Sequence, residues 1–91
     1  MALFNLVSFV KRGKNRRKVF EALDKPMMPS EVVMKIYNKN SNTGFNIVSR
    51  ALGELKRKNL AKVVNPKDKT GRLYQKTKLG NDVTKKLKEL E

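Results

Sequence analysis

The sequence predicts a mostly α domain with a small β-hairpin, an α+β fold. Three observations predict it. Four segments repeat apolar residues at helical spacing, around residues 3–10, 19–23, 32–36 and 45–55, and a fifth follows at 79–90. One stretch, Leu60 to Thr77, reads as two short strands about the polar turn PKDKTG. The chain has 91 residues, enough for one domain and not two.

The first helix lies in MALFNLVSFV. Asn5, Ser8 and Arg12 fall on one stripe, and Leu3, Phe4, Leu6, Val7, Phe9 and Val10 cover the rest. Most of this helix therefore needs cover, from its own domain, from a second copy of the chain or, less in keeping with basic residues only at its end, from a membrane surface. The run is too short to span a bilayer. Its basic residues follow the apolar stretch instead of preceding it, so it does not read as a signal peptide, and the expected location is cytoplasmic.

KRGKNRRK, residues 11–18, then carries six positive charges. Val19, Phe20 and Leu23 give the next helix its spacing, and Pro26 ends it. Positive charge at a helix N-terminus opposes the macrodipole. Arg16 and Arg17 have two readings there: they contact phosphates, or they are solvated. Pro29 suits the first residue of the following helix, with Glu31 in its first turn and Val32, Val33 and Ile36 inward. Met28 occupies the cap position without a hydroxyl or carboxamide, which predicts a weak helix start. NKNSNTG, residues 38–44, reads as a polar turn.

The next helix spans about 44–58, with Asn42 or Thr43 as its cap. Phe45, Val48, Leu52 and Leu55, with Ala51 beside them, share one face. Asn46, Arg50, Gly53 and Arg57 lie opposite, with Ser49 at the edge. Arginine can bond guanine O6 and N7 with two donors, and asparagine can pair similarly with adenine. Gly53 costs roughly 1 kcal/mol of helix propensity against alanine. It either permits a close approach to a backbone or is a tolerated surface residue. Asn59 suits a left-handed helix end. A hairpin from about 61 to 77 follows, with Lys67, Lys69 and Arg72 at its tip. Thr77 caps a last helix whose stripe is Leu79, Val83, Leu87 and Leu90.

Composition narrows function. With 22 Lys and Arg against 8 Asp and Glu, the formal net charge is +14, which favours a polyanionic partner. There is no cysteine and no histidine, which excludes disulfides, thiolate or imidazole metal sites and the Ser-His and Cys-His nucleophile pairs. The acids are mostly interleaved with lysines, and Gly13-Lys14 lacks the rest of a phosphate loop. No enzyme activity and no cofactor are expected.

The order of elements, with NRRKVFEAL at 15–23, PSEVVMKI at 29–36, VSRALGELKRKNL at 48–60 and NPKDKTGRLYQKT followed by LG at 65–80, resembles the winged helix-turn-helix family, particularly small MarR-like and ArsR-like transcription regulators of archaea. The resemblance covers about residues 13–90. It implies a single winged-helix domain over 1–91, with an apolar helix at 1–12, the core at 13–79 and a C-terminal helix at 80–91. It implies that the third helix of that core enters the major groove of double-stranded DNA. Asn46, Ser49 and Arg50 would then meet bases and phosphates, and Lys67, Lys69 and Arg72 would act from the wing. Arg16 and Arg17 would touch the backbone, and the terminal helices would form a homodimer. The full candidate set is Arg16, Arg17, Thr43, Asn46, Ser49, Arg50, Arg57, Lys67, Lys69 and Arg72. Three departures stand out: Met28 at the cap, Asn59 in place of glycine, and a turn at 38–44 longer than three or four residues.

The expected function is a duplex-DNA-binding transcription regulator, nucleoid-associated and without a membrane partner. The alternatives are a sequence-neutral DNA-coating protein, motivated by the size of the charge, and a winged-helix module for RNA or protein. Two Tyr and four Phe, mostly at core spacing, argue against stacking on single strands.

Overall fold

The computed structural model describes residues 3–68 and 71–90. It has the order α1 (Leu3–Arg12), α2 (Lys14–Ala22), α3 (Pro29–Tyr37), α4 (Asn42–Arg57), β1 (Ala61–Val63), β2 (Tyr74–Lys76) and α5 (Lys78–Glu89). Five helices and a two-stranded antiparallel sheet make this a mostly α, α+β fold. Buried residues of every helix, with Leu60 and Ala61, form one core. No helix among the described residues is long and apolar enough to cross a membrane.

Both terminal helices turn their apolar faces into this core. Leu6, Val7 and Val10 of α1 are buried, and α1 packs beside α2 and α5. Val83 and Leu87 of α5 are buried as well, with Leu79 partly covered. The stripe stops short of Leu90, which is 50% exposed because the helix ends at Glu89. Phe4, at 64%, is likewise outside the core.

The start of α3 is better supported than a methionine cap suggests. Met28 offers no side-chain acceptor, but its backbone N–H donates to Glu31 Oε1 at 2.8 Å, half of a capping box. Lys35, on the same helix, donates to the Ala22 carbonyl and to Asp24 Oδ2, both at 2.9 Å. It thus closes the end of α2 from α3, and its hydrogen bond is the main reason the Asp24 carboxyl lies below the usual aspartate range.

The α3–α4 connection is shorter than the polar run at 38–44 suggests. Asn38 ends α3 in the left-handed region, and α4 begins at Asn42. Ser41 is the cap instead of Asn42 or Thr43, its Oγ accepting the Gly44 N–H at 3.0 Å. The apolar face of α4 is also shifted. Gly44, Val48, Ala51, Leu52 and Leu55 are buried, whereas Phe45 is 45% exposed. The cause is the crossing with α3: a Cβ on Gly44 would stand 3.2 Å from Val33 Cγ1. The close crossing leaves little room for a side chain at residue 44, so the stripe begins there and Phe45, rotated by roughly 100°, points outward.

Asn59, with φ 61°, ends α4 as its residue type suggests. The strands are shorter than the 60–64 and 72–77 runs, with Ala61, Lys62 and Val63 opposite Lys76, Gln75 and Tyr74. Asn65 takes over from the ladder. Its Oδ1 accepts the Leu73 N–H at 2.7 Å, and its Nδ2 donates to Asp68 Oδ2 at 2.9 Å and to the Gly71 carbonyl at 3.1 Å. On the other side of β2, Tyr74 and Met27 exchange both backbone hydrogen bonds, at 2.9 and 2.8 Å, which ties the α2–α3 connection to the hairpin.

Thr77 joins three elements. Its Oγ accepts the Gly80 N–H at 3.0 Å, capping α5, and donates to the Asn59 carbonyl at 2.7 Å, while its N–H bonds the Leu60 carbonyl. The end of α4, the hairpin and the start of α5 are therefore fixed together.

Candidate nucleic-acid interface

The burial of Val48, Ala51, Leu52 and Leu55 leaves the opposite side of α4 facing outward. Thr43, Asn46 and Arg50 are exposed on it at i, i+3 and i+7. They form one wall of an open cleft of about 410 Å³. The other wall is the start of α2, with Gly13, Lys14, Asn15 and Arg16. Two elements remote in sequence thus bring the α2 start and the α4 stripe to one place.

The two arginines of α2 behave differently from free phosphate ligands. Arg16 turns inward: its guanidinium donates to the Phe9 carbonyl of α1, pairs with Glu54 of α4 at 3.2 Å and lies 3.9 Å from the Phe9 ring centroid. Only 17% of its side chain is exposed. Arg17 pairs with Glu21 one turn later, at 3.2 Å. The exposed positions of the cleft's α2 wall are Lys14 and Asn15, which the sequence reading did not single out. The charge run at 11–18 signalled the region; the helix phase, which sends residue 16 inward, decided the residue.

The remaining candidates are dispersed. Ser49 is half-buried and does not line the cleft. Arg57 is exposed on a neighbouring depression with Phe9, Glu54 and Lys58, its Nε 3.4 Å from the Gly53 carbonyl. Gly53 itself has open space where a Cβ would stand, so no atom of the described residues requires a glycine. On the hairpin Lys67 and Arg72 are exposed, and Arg72 Nε donates to the Asp68 carbonyl at 3.1 Å. Lys69 lies outside the described residues.

Chemically, the cleft offers donors and positive charge but little catalytic equipment. Glu54, its one acid, is taken by Arg16. Among the described residues no three His, Cys, Asp or Glu side chains gather as metal ligands. What the arrangement can do is hold an anion between Lys14 and Arg50 while Asn46 offers both a donor and an acceptor.

A polar group the sequence reading missed is Lys76 of β2. It is half-buried, with Nζ 4.3 Å from the Phe20 ring centroid and 2.8 Å from Thr84 Oγ1. Burial, and then the neighbouring Lys88 charge, hold its pKa below the ordinary lysine value.

No family profile matches the chain, and no curated protein or solved structure matches it.

Proposed function

We propose that the protein is a winged-helix, duplex-DNA-binding regulator that lays α4 in the major groove and sets the hairpin against the backbone or minor groove. The observation that carries this reading is the cleft in which Lys14 and Asn15 of α2 meet Thr43, Asn46 and Arg50 of α4. The four-residue turn before α4 and the Met27–Tyr74 pairing that steadies the hairpin also support it. Arg50 and Asn46 then read base edges. Lys14, Arg57, Lys67 and Arg72 neutralise phosphates, and Arg16 positions α4 from behind. A homodimer through the terminal helices would rest on what they leave uncovered, chiefly Phe4 and Leu90. Light scattering at micromolar concentration tests it.

The deciding experiment is selection of bound duplexes from a random pool at physiological salt, followed by Arg50→Ala on the selected sequence and on random DNA. A base-reading Arg50 predicts a loss of about 1–3 kcal/mol on the selected site and a smaller one on random DNA. Equal losses would remove the base-reading role. Binding without enrichment favours a second reading, a sequence-neutral DNA-coating protein, which the charge of +14 spread well beyond the cleft supports.

A further inference from the structure

Phe45 belongs by spacing to the inner face of α4, and the fold turns it out. It is 45% exposed and makes no ring–ring or ring–cation contact among the described residues. Phe9 and Phe20, by contrast, are each covered by a cation, with Arg16 3.9 Å from one ring centroid and Lys76 4.3 Å from the other. Exposure alone would not single Phe45 out, since isolated apolar residues are common on protein surfaces. Its position on α4 does.

Phe45 lies near the start of α4, beside Asn46 and one turn before Ser49. Thr43, Asn46 and Arg50 border the cleft, and Phe45 does not. At roughly 100° per residue it stands on the other flank of the outward face, with Asn46 between it and the cleft. A helix about 10–12 Å across fills a major groove about 12 Å wide, so a helix seated there meets base edges along both flanks. The N-terminal residues of a recognition helix are the ones that reach those edges. The exposed charges of α4 are Arg50, Lys56 and Arg57, and its one acid, Glu54, is paired with Arg16. These surroundings favour a polyanion over a second copy of the same basic chain.

We infer that Phe45 reads thymine: its ring packs on the C5-methyl group that thymine presents in the major groove, next to the base edge that Asn46 meets. The chemistry is complementary. That methyl is the one apolar group on the major-groove edges of the four bases. The ring has neither donor nor acceptor to offer a phosphate or any other base edge. Asn46 can pair with adenine, so the two adjacent side chains favour a site with A·T pairs at this end of the helix. The inference rests on the major-groove reading of α4 and adds a base preference to it.

The test starts from a duplex selected out of a random pool and replaces each thymine in turn by deoxyuridine, which removes the methyl and keeps the pairing. Affinity is measured for the wild type, Phe45→Ala and Phe45→Gln, beside urea denaturation and light scattering of each. The expected result is a loss of about fourfold in the wild type at one thymine or its symmetry mate, the usual worth of one buried apolar carbon. Neither variant should lose affinity there, and both should keep their fold and association state. A wild type indifferent to uracil at every position overturns the inference and leaves the reading of α4 intact. Equal sensitivity in the variants gives the methyl to another side chain and overturns it too. A changed association state makes Phe45 a contact between copies, and failure of both variants to fold makes it a structural residue; the inference falls in either case. Tighter binding to single strands than to duplex makes the ring a stacking surface and overturns it as well. No enrichment from the pool, or no binding of any duplex, removes both the inference and the reading beneath it.

Discussion

Arg16 of α2 and Glu54 of α4 meet at 3.2 Å behind the cleft, and the same guanidinium bonds the Phe9 carbonyl of α1. One side chain therefore links three helices. Its Nε has no acceptor among the described residues, so those two bonds and the Phe9 ring offset the desolvation of the group. Arg16→Ala should lower unfolding free energy by about 1–3 kcal/mol, because it leaves Glu54 unpaired as well as removing packing. The pair itself is worth less, since the side chains remain 17% and 31% exposed and water screens them. A double-mutant cycle with Glu54→Gln in chemical denaturation separates the two. If Arg16 were a solvated phosphate ligand, its replacement would shift stability by less than about 0.5 kcal/mol.

The junction of α4, the hairpin and α5 is closed by Gly80. A Cβ at this position would run into the Leu60 carbonyl oxygen and stand 3.3 Å from Lys76 Cβ. The obstruction is backbone, held by the Thr77 bonds to Asn59 and Leu60, and cannot rotate away. Gly80→Ala should cost about 1–3 kcal/mol or more in urea denaturation. Thr77→Ala should cost about 1 kcal/mol, the usual loss of a helix cap. A neutral Gly80→Ala would mean that the junction is looser than the packing indicates.

The helices and the hairpin were legible because period and punctuation agree along most of the chain. Pro29, Asn59 and Thr77 stand where their backbone preferences place them. Phase at the α3–α4 crossing was not legible. Gly44 and Phe45 are neighbours, and the inward turn of Gly44 goes with its close approach to Val33 and Tyr37 of α3, a tertiary contact. The candidate site divides similarly. The charge run at 11–18 and the polar stripe at 46–50 were readable as local patterns, and the cleft that joins them is a tertiary fact. The inward turn of Arg16 is not legible locally, because its partners, Phe9 and Glu54, lie 7 and 38 residues away in sequence. The half-burial of Lys76 is not legible either, because a lysine in a hairpin strand ordinarily faces water.

Lys76 gives the protein a pH dependence with a defined sign. Its folded pKa lies below the ordinary 10.5, chiefly through burial. Between the lowered value and 10.5 the unfolded chain binds more protons than the folded one, so stability rises with pH across that window. Below the window the charged group costs stability in full, in part offset by Thr84 and the Phe20 ring. Lys76→Met removes the titration and keeps the length of the side chain. Wild type should gain stability relative to this variant as pH rises through the window just below 10.5. Parallel denaturation midpoints at neutral and alkaline pH measure the difference, and a constant difference would show that Lys76 titrates normally.

Gly53 offers a test that separates the stability of α4 from its proposed role in binding. Nothing in the fold fills the space where its Cβ would stand, so Gly53→Ala should stabilise the domain by about 1 kcal/mol through helix propensity alone. A residue that costs stability without an internal reason is expected to serve an external contact. If α4 lies against a duplex as proposed, the added methyl should weaken DNA binding even as it raises the denaturation midpoint. The measurement pairs urea denaturation with duplex affinity for the same two proteins. Stability raised and affinity lowered places the helix backbone at the DNA surface. Stability raised with affinity unchanged makes Gly53 an ordinary surface glycine and moves the contact toward Asn46 and Arg50, at the cleft end of α4.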